Sequence, residues 1–476
     1  MMQQPDEPRR AVVVGGGLAG IATAVMLSEH GWQVDLWEAR RQLGGRAASF
    51  QDSASQEPVD HCQHVALGCC VCFQDFCQRT NLTQFFRQDR QLVFLSPQGD
   101  PVRVGASPWL PAPFHLLPSL FQIAYLSWDE RCEILRALWA MARTPSSSID
   151  SSLTMEQWLD QRQASRSSRA LFWEVVLVSA LSEQLARITF TDARKVFVDG
   201  FMSFREGHTL HIPRVALGTM YECHLLTWLA KHHVKCRLGA TVKHLLVDGT
   251  AVTALESENG QLFRYDGYVL ATSWRHTSKL LVNTPLEISE HLRQVSQIES
   301  SPISAVHLWF DRPITSRKHA VLTGRLSQWI FQRDTSETHE PPWTKTHYYQ
   351  VVISASRELQ QQSRQEIVDE VHRDLMELFP AARKAKLLRT QVISQRDAVF
   401  VAPELTGGSR PTQRTPLNNL VLAGDWTATG WPATMESAVR SGYLAADHLL
   451  QSLDKKSRVS IPELPVGWLS RWLIRS

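Results

Sequence analysis

The sequence predicts an α/β protein: a parallel-sheet domain assembled from distant stretches of chain and interleaved with a second, mixed α+β domain. Three observations predict it. Within residues 11–38 a strand, a Gly-x-Gly-x-x-Gly turn, a helix and a second strand ending in an acid follow one another. A short apolar strand closing on Gly424-Asp425 lies roughly 400 residues further on. The 476 residues also exceed one ordinary core, so domain-sized material must lie between the two ends.

The first element is the strand Ala11-Val12-Val13-Val14, which runs into Gly15-Gly16-Gly17-Leu18-Ala19-Gly20 and a helix from Ile21 to Leu27. Gly15 permits the tight turn, Gly17 lets backbone approach a pyrophosphate, and Gly20 lets helix and strand pack closely. The helix N-terminus, with Leu18 and Ala19 in its first turn, offers free N–H groups and a positive dipole end to phosphate. The second strand, Gln33–Trp37, ends at Glu38, 18 residues beyond Gly20, where a carboxylate can hold ribose hydroxyls. This is a Rossmann-type dinucleotide-binding unit.

Directly after the acid come Ala39, Arg40, Arg41, Gln42, Leu43, Gly44, Gly45 and Arg46. Gly44 and Gly45 allow close backbone approach, and Arg46 brings a guanidinium suited to a diphosphate. Here the sequence resembles the flavin amine oxidase and phytoene desaturase superfamily, and the resemblance implies FAD. At the far end the strand Asn419–Ala423, then Gly424-Asp425-Trp426, then a helix from Pro432 and Ala433 through Gly442, resemble the superfamily's C-terminal flavin motif. By that resemblance Asp425 is a ribityl or phosphate contact, and Thr434, Met435 and Glu436 lie near the flavin. An NAD-only dehydrogenase leaves Gly44-Gly45-Arg46 and Gly424-Asp425 unexplained.

The middle of the chain divides by pattern. Val234–Leu238 reads as a strand, and Val242–Leu246, Ala251–Glu256 and Leu262–Tyr265 as a meander turning at Asp248-Gly249 and Asn259-Gly260. Tyr268–Thr272 reads as a buried strand and Tyr221–His232 as a helix with Leu225, Leu226 and Leu229 on one face. Residues 65–210 look mostly helical, with Asp129–Ala142 and Met155–Gln163 separated by the linker Thr144–Ser148. Strands Ala305–Phe310 and Tyr348–Ser354 and the helix Arg364–Phe379 follow. The expected division is 1–65, 211–280 and 415–455 for the FAD-binding parts, 66–210 and 281–414 for the substrate domain, and 456–476 for a C-terminal segment suited to a membrane surface.

Composition narrows the function classes. Hydrophobic residues make up 43% and charged residues 20%, which is globular. A net charge of +3 gives no basic field for nucleic acid. No apolar run approaches the roughly 18–20 residues of a membrane span. Met1–Arg10 lacks the apolar core of a secretion signal, so a reducing, cytoplasmic compartment is expected. Eight cysteines fit that reading. Five of them, Cys62, Cys69, Cys70, Cys72 and Cys77, cluster without two paired Cys-x-x-Cys motifs, so buried free thiols are expected and a metal site is not.

Within the superfamily, Val59 to Cys70 is the informative stretch. With Ile212–Gly218, Gly424–Thr427 and Trp431–Ala438 it resembles the squalene-associated desaturase branch, whose members are hydroxysqualene dehydroxylases. The resemblance covers about residues 10–450. It departs from the branch at His61-Cys62, where a small Asn-Gly pair is usual. It implies an amine oxidase-like fold and replacement of an allylic hydroxyl by hydrogen, with squalene as product. It also implies an electron donor, NAD(P)H among the candidates.

Such a reaction needs an acid to help the hydroxyl leave, and Asp60 and His64 are the candidates. A turn carboxylate and a structural imidazole are the alternatives for the two. Arg214 is a candidate ion-pair or flavin contact. A carotenoid desaturase, a flavin amine oxidase and a non-catalytic isoprenoid escort protein remain as other readings. A substrate this apolar must come from a bilayer, so the enzyme is expected on the inner face of the cell membrane. The apolar stretches Ser107–Trp128 and Val466–Arg475 read either as interfacial surfaces or as packed helices.

Overall fold

The structure is a computed structural model that describes residues 7–53, 56, 58–282, 284, 294–333, 346–402, 404, 409–454 and 458–475. Met1–Asp6, on which part of the N-terminal expectation rests, lie outside the described residues.

Five parallel strands form the central sheet, in the order Val234–Leu238, Gln33–Glu38, Arg10–Val14, Gly267–Leu270, Leu420–Leu422. Of the three inner strands, Arg10–Val14 and Gly267–Leu270 read as buried apolar runs, as strands covered on both faces must, whereas Gln33–Glu38 carries Asp35 and Glu38 half-buried. Val12 is in register with Asp35 on one side and Tyr268 on the other. The helices Leu18–Glu29 and Met435–Leu453 pack together, with Ile21, Ala22 and Val25 in one cluster with Val439, Tyr443 and Ala446. The first and last segments of the chain thus share one core. Each fully buried Leu or Ile there contributes about 1.5–3 kcal/mol.

The meander forms as the turns dictate, over Val242–Asp248, Ala251–Ser257 and Leu262–Phe263. The helices Trp128–Arg143, Met155–Asp160 and Arg364–Leu378 each begin with a reciprocal capping box, at Ser127/Glu130, Thr154/Gln157 and Ser363/Glu366. The second of these stops short of the expected Gln163, where the chain turns with φ 52°. The helix expected at Tyr221–His232 starts earlier, at Leu217, and passes through a π-helical stretch, Met220–Leu225, before Leu226–Lys231.

A seven-stranded sheet makes the second layer, in the order Leu387–Phe400, Ser300–Phe310, His347–Ile353, Trp329–Gln332, His319–Leu322, Gln91–Leu95, Pro101–Gly105. Its last two strands come from the mostly helical insert, which docks by the parallel pairing of Val321 with Phe94. The helix Arg364–Leu378 packs Ile367, Val371 and Leu375 against Val306, Leu308 and Tyr349 of this sheet. The rest of the insert forms a helical layer around Trp158, Trp173 and Phe190. The five clustered cysteines are all buried and free, and burial pushes the Cys62 thiol up to about 12.

Candidate active site

The predicted dinucleotide residues meet at the C-terminal ends of the central strands. Gly15 turns with φ 115°, and a Cβ there would lie 2.5 Å from the Ala271 carbonyl oxygen. Gly44 and Gly45 also have positive φ, 106° and 61°, and Gly44 bridges to Gly17, with its N–H donating to Gly16 O at 2.8 Å. The first helix begins at Gly17 with no capping side chain, so its first-turn N–H groups are left for an anion. Glu38 is fixed by two donors, Gly16 N–H at 2.7 Å and Arg40 N–H at 2.8 Å. Uncapped helix N–H groups, a cradle too tight for a Cβ, and a carboxylate held at the end of the second strand fit a dinucleotide.

The second motif closes on the first. Arg46 forms an ion pair with Asp425 and donates to Ala398 O at 3.0 Å. Asp425 is buried beside Gly424, whose N–H donates to Ser441 Oγ at 2.8 Å. Thr434 caps the last helix, its Oγ1 accepting from Ser437 N–H at 3.2 Å. Met435 packs half-buried on the shared core. Glu436 is fully buried and accepts from Cys72 N–H (3.2 Å) and Phe73 N–H (2.9 Å), so it caps the helix Val71–Arg79.

Sequence reasoning missed Arg410. Its guanidinium donates to the carbonyls of Asp425 (2.6 Å), Thr427 (2.5 Å) and Trp431 (2.7 Å), and so sets the loop between Gly424 and the last helix. In the sequence it stands in a Gly-Gly-Ser-Arg-Pro run with no periodicity to mark it.

Asp60 and His64 lie where the Rossmann unit hands over to the insert. Asp60 is 1% exposed and acts only as an acceptor. Its Oδ1 takes hydrogen bonds from Ser49 Oγ (2.6 Å) and Leu217 N–H (2.8 Å), and its Oδ2 pairs with Arg333. Gln350 reaches the Asp60 carbonyl at 3.3 Å, and His307 stands next in line, with Nδ1 2.7 Å from Tyr348 Oη. His64 is half-buried with Nδ1 2.9 Å from Cys62 O. That contact needs Nδ1–H as donor, which leaves Nε2 as an acceptor without a partner among the described residues. Burial holds the His64 pKa below its usual range, and the Asp60 charge works against that. Arg214 is exposed, and its N–H donates to Phe85 O at 2.8 Å.

A cleft opens in the insert. Its enclosed volume is about 150 Å³, below the roughly 300–1,000 Å³ common for small-molecule sites, and the rest of the cleft is open to solvent. Apart from Tyr125 and His208 its lining is apolar, drawn from Leu120, Leu138, Phe172, Phe197 and Phe201 among others. Two π-helical stretches, Arg169–Trp173 and Lys195–Met202, form part of its wall. Leu92, Phe94 and Val104 line it as well. They also belong to an apolar cluster with Leu210, Ile212 and Phe331 that reaches Val65, the neighbour of His64.

Comparison with known proteins places this geometry. Residues 18–450 match the family model described as flavin containing amine oxidoreductase. A 15-cis-phytoene desaturase of an Oncidium hybrid cultivar is 26% identical over 480 residues, covering 95% of this chain and 79% of that protein. The hydroxysqualene dehydroxylase of Zymomonas mobilis is 24% identical over 450 residues, covering 91% of this chain and 97% of that one. Among solved structures, an oxidoreductase from Methanosarcina mazei superposes with a TM-score of 0.68 at 17% identity, covering 91% of this chain and 98% of that one.

Proposed function

We propose that this chain, which belongs to the flavin containing amine oxidoreductase family and is a FAD-dependent oxidoreductase, converts hydroxysqualene to squalene. The observation that carries the proposal is the Nε2 of His64, without a partner among the described residues, next to Val65, which packs on the apolar cluster that shares Leu92, Phe94 and Val104 with the cleft. A desaturase acting on a pure hydrocarbon has no use for a hydrogen-bonding group there. A substrate with one hydroxyl does.

The FAD-holding residues are those of the two motifs. Gly15, Gly17 and the N–H groups of Leu18, Ala19 and Gly20 would hold the phosphates, and Glu38 the ribose. Ala39, Arg40, Gly44, Gly45 and Arg46 form the facing wall. Gly424 and Asp425, after the strand Leu420–Leu422, and Thr434 and Met435, at the start of the helix Met435–Leu453, would close the site. Bound in its reduced form, FAD supplies the hydride.

The protein's own work is positioning, proton delivery and exclusion of water. The cleft holds the polyene where water cannot quench an allylic cation. Protonated His64 gives its proton to the departing hydroxyl, which leaves as water. The nearby Asp60 charge favours that protonated imidazole, while Arg333, Ser49 and Leu217 keep the carboxylate in place.

A second reading, desaturation of a phytoene-type carotene, is favoured by the 26% identity to a phytoene desaturase. Incubating the reduced flavoprotein with hydroxysqualene, and the oxidised flavoprotein with phytoene, separates the two. Squalene from the first and no polyene from the second supports dehydroxylation, and the opposite pattern overturns it.

A further inference from the structure

Five of the large exposed apolar side chains are tryptophans: Trp109 (88% exposed), Trp128 (63%), Trp139 (39%), Trp468 (69%) and Trp472 (81%). They come from two stretches more than 300 positions apart in sequence, yet the structure gathers them around one feature, the apolar cleft. Trp139 lines the cleft and stacks on Phe114, also a lining residue, with ring centres 6.4 Å apart. Trp128, the first residue of the helix that carries Trp139, stacks at 5.2 Å on Phe121, which lies in sequence between the lining residues Leu120 and Ile123.

The C-terminal helix, Trp468–Leu473, is fastened to the cleft walls through backbone. Gly467 N–H donates to Ser203 O (2.8 Å), Ser470 Oγ to Met202 O (3.2 Å) and Arg475 N–H to Ala142 O (3.0 Å). Met202 itself lines the cleft. The loop bearing Trp109 hangs from the same place, because Arg205 donates to Ser107 O (2.5 Å) and Leu110 O (2.9 Å). The helix is therefore docked, and it still turns both of its tryptophans outward.

We infer that this tryptophan rim is the surface by which the protein lies on a lipid bilayer, with the mouth of the cleft opening into the acyl layer. The choice of a bilayer rests on the residue type and on charge. Tryptophan, with an apolar body and one N–H, settles at the membrane–water boundary. Between Pro101 and Trp128 and from Leu464 to Ser476 the chain has no acidic residue, and the exposed acids Asp129 and Glu463 stand at the borders of the two stretches. On the C-terminal stretch Arg471 and Arg475 are exposed beside Trp468 and Trp472, and this favours anionic headgroups. Among the described residues no helix is long and apolar enough to cross a membrane, so the contact is interfacial. The inference deepens the proposed function, since it supplies the route by which a water-insoluble isoprenoid reaches the cleft.

The test is flotation of the flavoprotein with phosphatidylcholine vesicles, with and without phosphatidylglycerol. Quenching of tryptophan fluorescence by brominated acyl chains is read in parallel. The wild type floats, more with the anionic vesicles, and is quenched. Trp468→Ser with Trp472→Ser lowers the bound fraction by about tenfold, and Arg471→Glu removes the preference for anionic vesicles. Flavin content stays at the wild-type level in both, because none of these side chains lines the cleft or the flavin site. A wild type that stays unbound, or a double variant that floats as well as the wild type, overturns the inference. So does a self-association that the double variant abolishes, which assigns the rim to a second copy of the chain. Turnover of detergent-dispersed hydroxysqualene reports on the proposed reaction separately: a protein that floats and leaves that substrate intact keeps the surface and loses the reaction.

Discussion

Arg46 and Asp425 form an ion pair across 379 positions of chain. The pair ties the N-terminal glycine motif to the C-terminal Gly-Asp motif, and its carboxylate end is buried. Two stretches that look like separate signals in the sequence are thus one side of a single site.

The first prediction follows from that pair. Asp425→Asn keeps the shape and removes the charge. Losing one charge-assisted partner costs about 1.5–3 kcal/mol, which corresponds to about tenfold to hundredfold in flavin affinity. The ratio of flavin to protein absorbance after dialysis checks it; a variant as yellow as the wild type contradicts it.

Gly15 gives a backbone prediction. Its φ is 115°, and a Cβ added there would sit 2.5 Å from the Ala271 carbonyl oxygen, so Gly15→Ala must displace the turn between the first strand and helix. Flavin is lost and the melting temperature falls. Gly249→Ala, at an open turn with φ 57° and no atom within 4 Å of its Cβ position, keeps its flavin and loses only about 1–2 kcal/mol of stability to left-handed strain. Melting curves of the two variants side by side decide the matter.

Asp60 gives a stability prediction. Asp60→Ala leaves Arg333 without its carboxylate and strips acceptors from Ser49 and the Leu217 N–H. Breaking a buried pair from one side costs roughly 3–5 kcal/mol, read as a lowered urea midpoint. Asp60→Asn keeps two of the three acceptor contacts in shape and falls in between.

Acid weakens the fold. Burial lowers the pKa values of His115 and His307 to about 4, with His208 and Arg205 adding to the effect at His115 and Arg333 at His307. The unfolded chain takes up these protons near pH 6.5, before the folded protein does. Their contribution is therefore fully present above about pH 6.5 and is lost as pH falls toward about 4, by up to about 1.4 kcal/mol per pH unit for each proton. Urea midpoints at neutral pH and near pH 5 measure this, and His307→Gln flattens the dependence. Turnover per folded flavoprotein moves the other way: His64 works protonated and its pKa is lowered, so the rate rises as pH falls, and His64→Gln abolishes that rise.

What the sequence made legible was local. The Gly15–Gly20 turn, the strand Val234–Leu238 and the Asp248-Gly249 and Asn259-Gly260 turns depend on neighbours a few residues away, and they formed where the pattern placed them. What it hid was pairing at long range. The docking of Gln91–Leu95 on His319–Leu322 joins segments whose partners no periodicity names. Glu436, placed near the flavin by resemblance, is taken up by the N-terminus of the helix Val71–Arg79. Arg410 and Arg333 act through atoms contributed by distant residues, so each looked like one more arginine in a loop.

The account stands most directly on one measurement: a single turnover without oxygen, in which the reduced flavoprotein meets hydroxysqualene while flavin absorbance and squalene are followed together. The account predicts that oxidised flavin returns in step with squalene, one for one, and that His64→Gln slows both alike. Flavin that stays reduced while hydroxysqualene is recovered unchanged, under conditions where the oxidised protein desaturates phytoene, would contradict it.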